Sequence, residues 1–286
     1  MNLCDYDTIR DLLGRHGFHF SKSMGQNFLI DAQVPARIAD ASQADAGCGV
    51  LEIGPGIGPL TAELAQRAGK VVSIELDRSL LPVLAETMAP YPNVEIISGD
   101  VMKLDLNALA AEKFQGLTPI VCANLPYNIT TPVLTRLIES PCFETITVLI
   151  QKEVAQRLSA AQGSPDGGSF SLFLQYYMET AYLFDVPREK FLPAPKVTSA
   201  VLRCVRRKQP AVQVDDEAFF FQVVRGAFLL RRKTLSNSLA AALPDFDKAA
   251  IQSAMADCGL SPDLRGERLT LQDFARLSHA LLAKMA

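Results

Sequence analysis

The chain has 286 residues, more than one typical domain needs and enough for two. Its 49% hydrophobic and 21% charged residues are typical of a globular protein, and no apolar run is long enough to predict a membrane-spanning helix. The net charge of −3 argues against a protein that coats nucleic acid by charge alone, because such domains are usually strongly basic. Six scattered cysteines without a CxxC pair are typical of a reducing compartment, so we expect a cytoplasmic protein with neither disulfides nor a metal site.

Charge is distributed unevenly along the chain. Residues 1–199 contain 15 Lys and Arg against 22 Asp and Glu, a net charge of −7, whereas residues 200–286 contain 13 against 9, a net charge of +4. The change coincides with the basic run 203–208, which ends just before Pro210 and is typical of a linker. We therefore predict two domains, 1–207 and 208–286.

The first domain alternates between strand-like and helical segments. Strands are predicted at 49–53, 70–75, 94–98, 119–123 and 145–150, and helices near 59–68, up to Met88, and near 131–140 and 152–160. This alternation predicts an α/β fold with a mainly parallel, Rossmann-like sheet. Two later runs, 180–186 and 198–205, predict a hairpin at the sheet edge. From Asp215 onward, four helical runs predict a small helical domain.

The strongest local motif is the glycine-rich segment 51–58, Leu-Glu-Ile-Gly-Pro-Gly-Ile-Gly, which lies between a predicted strand and a predicted helix. Gly54 and Gly56 allow the backbone to turn tightly and to approach a ligand closely. Glu75 ends the next strand 21 residues after Gly54, where its carboxylate can accept hydrogen bonds from both hydroxyls of a ribose. The motif predicts a nucleoside cofactor, and its GxGxG spacing leaves both a dinucleotide and S-adenosylmethionine open.

Two further polar motifs follow the third and fourth strands. Asp100 is placed to meet the amino group of a cofactor adenine, although a helix N-cap would explain it equally well. In Asn124-Leu125-Pro126-Tyr127, the Asn124 side-chain oxygen and the Leu125 carbonyl can accept the two N–H bonds of an exocyclic amine. Pro126 stiffens the turn and Tyr127 offers a ring on which a base can stack. These residues favour methyl transfer to a base amine, which needs positioning rather than a general base.

These motifs, taken in order, resemble the ribosomal RNA adenine N6-dimethyltransferase family, and specifically its bacterial small-subunit branch. The resemblance covers about residues 8–240 and is carried by the segments 25–31, 51–58, 73–77, 99–100, 124–132, 151–157, 191–197 and 231–239. It implies a class I methyltransferase sheet that uses S-adenosylmethionine, joined to a small helical domain. The segments Gly-Gln-Asn-Phe-Leu (25–29) and Phe-Leu-Pro-Ala-Pro-Lys-Val (191–197) are the narrowest markers of the family.

The resemblance also implies a set of site residues. Cofactor binding falls to Asn27, Leu29, Gly54, Gly56, Glu75, Asp100 and Asn124, and the catalytic set is Asn124, Leu125, Pro126, Tyr127 and Phe191. Tyr127 and Phe191 are the aromatic walls expected around the target adenine, although a Phe before Pro-x-Pro is usually a core residue. The predicted RNA contacts are Lys22, Lys196, Arg206, Arg207, Arg231, Arg232 and Lys233, with Arg203, Lys208 and Arg225 as further candidates.

The implied substrate is 16S rRNA in the 30S subunit or its precursor, where two adjacent adenosines of a hairpin loop near the 3′ end are each methylated twice. We expect a monomer that binds neither metal nor membrane. One alternative is the related antibiotic-resistance type of enzyme, which methylates 23S rRNA. Another is a nonenzymatic ribosome assembly factor with the same fold. An NAD-dependent dehydrogenase is a third alternative, disfavoured by the lack of an obvious acid or base for hydride chemistry.

Overall fold

The structure of the chain is a computed structural model that describes residues 1–18, 25–230 and 232–284. The chain divides into two compact units. The first comprises Met1–Ala155 and Thr180–Arg206, and the second comprises Gln156–Glu179 and Arg207–Ala286. Within the described ranges, no helix combines the length and the apolar character needed to cross a membrane.

Helices and strands alternate through most of the first unit. In chain order the elements are α1 (Tyr6–Arg15), β1 (Phe28–Leu29), α2 (Gln33–Ser42), β2 (Cys48–Ile53), α3 (Pro59–Ala65), β3 (Lys70–Glu75), α4 (Leu81–Thr87), β4 (Val94–Ser98), α5 (Leu106–Lys113), β5 (Thr118–Asn124), α6 (Thr130–Ile138), β6 (Thr145–Gln151), α7 (Lys152–Leu158), α8 (Ser169–Tyr177), β7 (Met178–Val186), β8 (Phe191–Leu192), β9 (Ser199–Arg206), α9 (Glu217–Ala227), α10 (Leu235–Ala242), α11 (Lys248–Asp257) and α12 (Leu271–Leu282).

The main sheet has the strand order β4-β3-β2-β5-β6-β9-β7. The strands β4, β3, β2, β5 and β6 run parallel to their neighbours, whereas β9 pairs antiparallel with β6. The predicted mainly parallel sheet is therefore confirmed, with the two late strands side by side at one edge. Parallel neighbours need long crossover connections, and the intervening helices supply them.

Apolar side chains bury the centre of the sheet on both faces. All residues of β2 are buried, which is typical of a parallel strand covered by helices on each side. Ile38, Leu64 and Val71 belong to one cluster that joins α2 and α3 to the strands. Leu12 and Leu84 belong to a second cluster, in which α1 packs against α4. These clusters hold the strand ends, and the polar residues that follow them, in fixed positions.

A second, two-stranded sheet pairs β1 antiparallel with β8, an element that the sequence did not predict. Leu29 lies opposite Phe191 in this pair. The Ile30 N–H donates to the Lys190 carbonyl at 2.9 Å, and Lys190 Nζ lies 2.5 Å from Asp31 Oδ2. This small sheet anchors the segment from residue 25 to 31, which carries Asn27.

The second unit is helical and has an aromatic core. The Tyr176 ring of α8 lies 5.4 Å from the ring of Phe220 and 5.0 Å from that of Phe221, both on α9. Because these rings belong to the same cluster as the helices that follow, residues 156–179 group with the second unit. The sequence-based boundaries had placed this segment in the first domain, since nothing in its local pattern shows where its aromatic face is buried.

Candidate active site

The turn after β2 forms one wall of a cavity at the carboxyl edge of the parallel strands. Gly54, Gly56 and Gly58 have φ angles of 68°, 63° and 93°, a region that glycine adopts without strain. A Cβ atom at Gly56 would stand 3.1 Å from the Phe28 ring, a tight contact that the ring could relieve only by shifting. The motif thus lies between a strand and a helix, and its backbone faces the cavity.

Glu75, the last residue of β3, lies beside this turn with only 5% of its surface exposed. Its Oε2 accepts a hydrogen bond from the Gly56 N–H at 3.3 Å, and its Oε1 accepts one from the Asp77 N–H at 2.8 Å. Burial raises the pKa of the Glu75 carboxyl above its ordinary value. The two backbone donors hold this acceptor rigidly at the cavity wall.

A second buried carboxylate, Glu52, also lines the cavity and was missed by the sequence analysis. It is 1% exposed, and its Oε2 accepts hydrogen bonds from Thr61 Oγ1 at 2.6 Å and from Ser73 Oγ at 2.7 Å. Burial raises the pKa of the Glu52 carboxyl to about 7. The signal was present in the sequence, because a glutamate inside an apolar strand is rarely buried without a specific partner.

Asn124 ends β5 and begins the motif that faces the glycine turn across the cavity. Its Nδ2 donates to the Asn27 carbonyl at 3.4 Å, which orients the amide and leaves Oδ1 as the acceptor. The Leu125 N–H donates to the Leu149 carbonyl at 3.1 Å. The Pro126 carbonyl accepts from the N–H of Ile129, so the turn is fixed at both ends.

Tyr127 follows in a short 3₁₀ turn and presents a half-exposed ring to the cavity. Its hydroxyl lies 2.6 Å from the Ser199 Oγ, and burial raises the pKa of the phenol above its ordinary value. The tyrosine is therefore neutral at physiological pH, which suits it to stacking and leaves it no role as a base.

The structure brings nearly all of the predicted cofactor-binding and catalytic residues to this one cavity. Asp100 lies at its wall, where its Oδ1 accepts from the Met102 N–H at 2.9 Å. The predicted residues that line the cavity are Asn27, Leu29, Gly54, Gly56, Glu75, Asp100, Asn124, Leu125, Pro126 and Tyr127. Their convergence supports a single ligand site at the carboxyl ends of the strands.

Phe191 is the exception among the predicted catalytic residues. It is 2% exposed and belongs to an apolar cluster with Leu29, Val34 and Val201. It lies in β8 opposite Leu29, so it supports β1 from the core. Its predicted role as an aromatic wall of the acceptor site is not supported by this position, because the strand pairing with β1 turns Phe191 into a core residue.

The predicted RNA contacts fall into three groups. Lys22 and Arg231 lie outside the described residues, whereas Lys196, Lys208, Arg225, Arg232 and Lys233 are exposed. Arg206 donates through its guanidinium to the carbonyls of Ile138, Ser140 and Phe143 at 2.9, 3.1 and 2.9 Å. This residue therefore satisfies carbonyls at and beyond the C-terminal end of α6, and the structure gives it an internal role in place of the predicted one.

Arg207 and Arg203 also have partners within the protein. Arg207 donates to the Gln175 carbonyl at 3.2 Å and forms an ion pair with Glu179 at 2.9 Å. Arg203 lies on β9 and directs Nη1 towards the Ala41 carbonyl at 3.5 Å. The basic run at the domain boundary thus acts largely within the fold, which its sequence pattern did not indicate.

The second unit gathers further cations that the sequence analysis did not assign. Arg265 and Arg268 are exposed and flank Gly266, where a Cβ atom would stand 2.5 Å from the Ala227 carbonyl at the end of α9. The Leu235 N–H donates to the Leu264 carbonyl at 2.7 Å, which joins this segment to the start of α10. Five exposed cations on these adjoining segments, Arg225, Arg232, Lys233, Arg265 and Arg268, are named here the cationic surface, and within the described ranges none of its members forms an ion pair.

Counting charge over the structural units changes the sequence-based division. The second unit contains 12 Lys and Arg against 11 Asp and Glu, a net charge of +1, because Arg203 and Arg206 belong to the first unit and residues 156–179 add one arginine and two acidic residues. The predicted +4 of the C-terminal part is therefore not a property of the helical unit. Its cationic character is local.

Comparison with known proteins decides the family. A model of the ribosomal RNA adenine dimethylase family matches residues 17–279 of the chain. The chain belongs to this family. The matched range includes the residues that line the cavity and those of the cationic surface.

Individual relatives agree with this assignment. The chain is 48% identical over 276 residues to the ribosomal RNA small subunit methyltransferase A of Geobacillus sp. (strain WCH70). The aligned region covers 95% of each protein. The solved structure of the 23S rRNA methyltransferase ErmE is 28% identical, with a TM-score of 0.69 over 89% of this chain and 99% of that one. A dimethyladenosine transferase from Plasmodium falciparum, 23% identical over 90% of this chain and 98% of that one, shares the fold with a TM-score of 0.75.

As a ribosomal RNA adenine dimethylase, the chain is an enzyme that depends on S-adenosylmethionine, and its cavity fits that cofactor. The sulfonium and ammonium groups of the cofactor outweigh its carboxylate in charge, so a binding site gains from negative residues. Two buried carboxylates, Glu52 and Glu75, line the cavity. Glu75 and Asp100, the predicted acceptors for the ribose hydroxyls and the adenine amino group, both line this cavity.

Replacing Glu52 with glutamine should remove a pH-dependent contribution to stability. Burial raises the pKa of the Glu52 carboxyl from 4.5 to about 7, so the folded protein binds an extra proton between these pH values. The stability of the wild type relative to Glu52→Gln therefore falls as pH rises through this window, by on the order of 3 kcal/mol, and is constant on either side. Urea unfolding of both proteins across the window measures this difference.

The matched control is Glu112→Gln, which replaces a carboxylate whose side chain is 69% exposed. Its stability difference from the wild type should not vary across the same window. A difference between the wild type and Glu52→Gln that is independent of pH would contradict the assignment of a buried, proton-binding Glu52.

Proposed function

We propose that this chain transfers methyl groups from S-adenosylmethionine to N6 of two adjacent adenosines in a hairpin loop near the 3′ end of 16S rRNA, in the 30S subunit or its precursor. The observation that carries the proposal is the single cavity in which Asn124 and Tyr127 face the glycine turn and Glu75. This arrangement combines a nucleoside cofactor site with an acceptor site for a base amine. One chain supplies all these residues, so we propose action as a monomer, in the cytoplasm where the particle is assembled.

The chemistry on the acceptor side is positioning. An exocyclic adenine amine is a poor nucleophile because its lone pair is delocalised into the ring. Hydrogen bonds from the amine to Asn124 Oδ1 and the Leu125 carbonyl would favour a tetrahedral nitrogen with its lone pair directed at the methyl group. The Leu125 carbonyl accepts no hydrogen bond from any described residue, so it remains available as an acceptor.

The cofactor supplies an activated methyl group, and the chain's own residues hold both partners and need not remove a proton before transfer. The Asn124 amide is already oriented by Asn27, so its acceptor oxygen needs no rearrangement when the amine arrives. The Tyr127 ring is placed to stack on the target base. A paired and stacked adenine would hide its amine, so this site favours an adenine that is extruded or lies in a loop.

We propose that the second unit positions the rRNA through the cationic surface. Its five side chains come from two stretches, 225–233 and 265–268, that are distant in sequence and joined by backbone contacts in this unit, which suits contacts to successive phosphates of a folded RNA. Glu267 lies between two of the arginines, so the surface is interrupted by one acidic residue. Lys196 in the first unit is exposed on the segment before β9 and is a further candidate contact.

Large-subunit rRNA is the second candidate substrate, because ErmE, whose solved structure is similar, is a 23S rRNA methyltransferase. The small-subunit proposal is supported by the higher identity, 48% against 28%, with a relative named as a small subunit enzyme. A purely nonenzymatic assembly role is disfavoured, since the predicted acceptor and cofactor residues other than Phe191 line one cavity.

Methyl transfer from tritiated cofactor should label immature 30S particles and leave 50S particles unlabelled. The physical basis is that the acceptor site requires an adenine with an accessible amine, as an unpaired adenine of a loop provides. The label is located by primer extension on the recovered rRNA. Label confined to 23S rRNA would favour the alternative substrate, and no label in either particle would favour the nonenzymatic role.

Asn124→Ala should reduce the rate of methyl transfer by about 100-fold or more, because it removes a preorganised acceptor at the reacting amine. Binding of S-adenosylhomocysteine, measured by calorimetry, should change far less than the rate. Asn107→Ala serves as the control, since Asn107 is an exposed residue on α5. Turnover of Asn124→Ala close to that of the wild type would overturn the assigned role.

Arg265→Ala and Arg268→Ala should weaken binding to 30S particles and flatten its dependence on salt. Each lost phosphate contact reduces the slope of log K against log salt concentration by about 1. Lys248→Ala is the matched control, because Lys248 is an exposed cation at the start of α11 in the same unit and outside the cationic surface. Equal salt slopes for the two arginine variants and the control would show that the surface does not contact RNA.

A further inference from the structure

Ser199 makes a contact with the acceptor site that neither its sequence position nor the cavity itself reveals. The residue is 0% exposed, and its Oγ lies 2.6 Å from the hydroxyl of Tyr127. Tyr127 lines the cavity, whereas Ser199 is not among the described residues that line it. Any effect of Ser199 on a bound base must therefore pass through the Tyr127 ring.

Strand direction explains how Ser199 reaches this place. The parallel strands end at the ligand edge of the sheet, where Asn124 closes β5 and Gln151 closes β6. Strand β9 runs antiparallel to β6, with Ser199 opposite Gln151. An antiparallel neighbour begins where parallel strands end, so the first residue of β9 is brought to the same edge as the Asn124 motif.

The contact restrains the ring at its far end. The aromatic side chain of Tyr127 rotates about two torsions, and its hydroxyl is the atom farthest from the backbone. A hydrogen bond of 2.6 Å to a buried serine on a rigid strand fixes that atom and hence the direction of the ring axis, which keeps the ring at the cavity wall. Without the partner, the half-buried hydroxyl is left unpaired and the ring leaves this orientation to find water.

We propose that Ser199 is a positioning residue that fixes the Tyr127 ring in the orientation required to stack the target adenine. The inference rests on the proposed methyl transfer to adenine. It assigns to β9, which supplies no cavity-lining residue in the described part of the chain, a specific part in acceptor alignment. Ser199 itself touches neither the cofactor site nor the acceptor.

The test is a double-mutant cycle of Ser199→Ala and Tyr127→Phe on methyl transfer to 30S particles. We expect Ser199→Ala to lower kcat by about 10-fold, because misalignment of a reacting base is costly. The affinity for S-adenosylhomocysteine should stay within about twofold, because the cofactor residues are untouched. Tyr127→Phe removes the other half of the same hydrogen bond, so the double variant should lose no more than either single variant. Ser199→Thr, which keeps the hydroxyl, should recover most of the rate.

Thr147→Ala is the matched control for a general loss of stability. Thr147 is a fully buried hydroxyl residue on β6 in the same strand pair, and its Oγ1 has no hydrogen-bond partner among the described residues. It should lower the melting temperature without a selective loss of kcat. A loss in Ser199→Ala that matches this control, or losses that add in the double variant, would assign Ser199 a merely structural role.

A readout that needs no turnover separates this inference from the proposed function. With 3-fluorotyrosine incorporated, the ¹⁹F resonance that disappears in Tyr127→Phe belongs to residue 127. For residue 127 we expect one sharp resonance in the wild type and a shifted or broadened resonance in Ser199→Ala. An unchanged resonance overturns the proposal whether or not the wild type methylates 30S particles. A changed resonance in Ser199→Ala, together with a wild type that fails to methylate 30S particles, would overturn the proposed function and leave the ring restraint established.

Discussion

The candidate active site depends on the register of three parallel strands at the centre of the sheet. Ile53 lies opposite Ile74, and Leu51 lies opposite Val121, so β2, β3 and β5 end at nearly the same level. Each strand contributes to the cavity at its carboxyl end: β2 through the glycine turn that follows it, β3 through Glu75 and β5 through Asn124. A shift of one residue in any of these pairs would exchange the two faces of a strand and separate the contributions. The buried apolar residues of the strands therefore determine the geometry of the site, and Ile53 and Ile74 also line its cavity.

Two buried carboxylates raise the free energy of this site when no ligand is bound. Glu52 and Glu75 lie in a region from which solvent is largely excluded, and burial raises the pKa of both. Backbone N–H groups and the hydroxyls of Thr61 and Ser73 offset part of that cost. A cofactor with a net positive charge offsets more of it than the neutral thioether product does. The same carboxylates therefore favour cofactor over product, which helps product to leave.

The local motifs could be predicted from the sequence because each combines a backbone requirement with a chemical one. The glycine turn, Glu75 and Asn124 stand at predictable strand ends, and parallel topology is enough to bring strand ends together. Ser199 and Phe191 could not be placed in this way. Their positions follow from two antiparallel pairings, β9 with β6 and β8 with β1, whose register no local pattern reveals. Phe191, predicted at the acceptor, is thus a core residue. Ser199, which no motif singles out, pairs with the hydroxyl of Tyr127.

Charge shows the same difference between sequence order and spatial order. The basic run from 203 to 208 looked like an RNA-binding linker, yet Arg206 satisfies carbonyls near the end of α6 and Arg207 pairs with Glu179. Arg265 and Arg268 have acidic neighbours in the sequence, so their local pattern does not predict a basic site. The fold places their segment beside the end of α9. With a net charge of only +1 on its unit, this surface has a short-range field, since screening removes weak fields beyond about 10 Å. In the proposed complex with rRNA, affinity would then depend on how many phosphates one RNA shape presents at once, so the surface would select a folded site and release it when that fold changes.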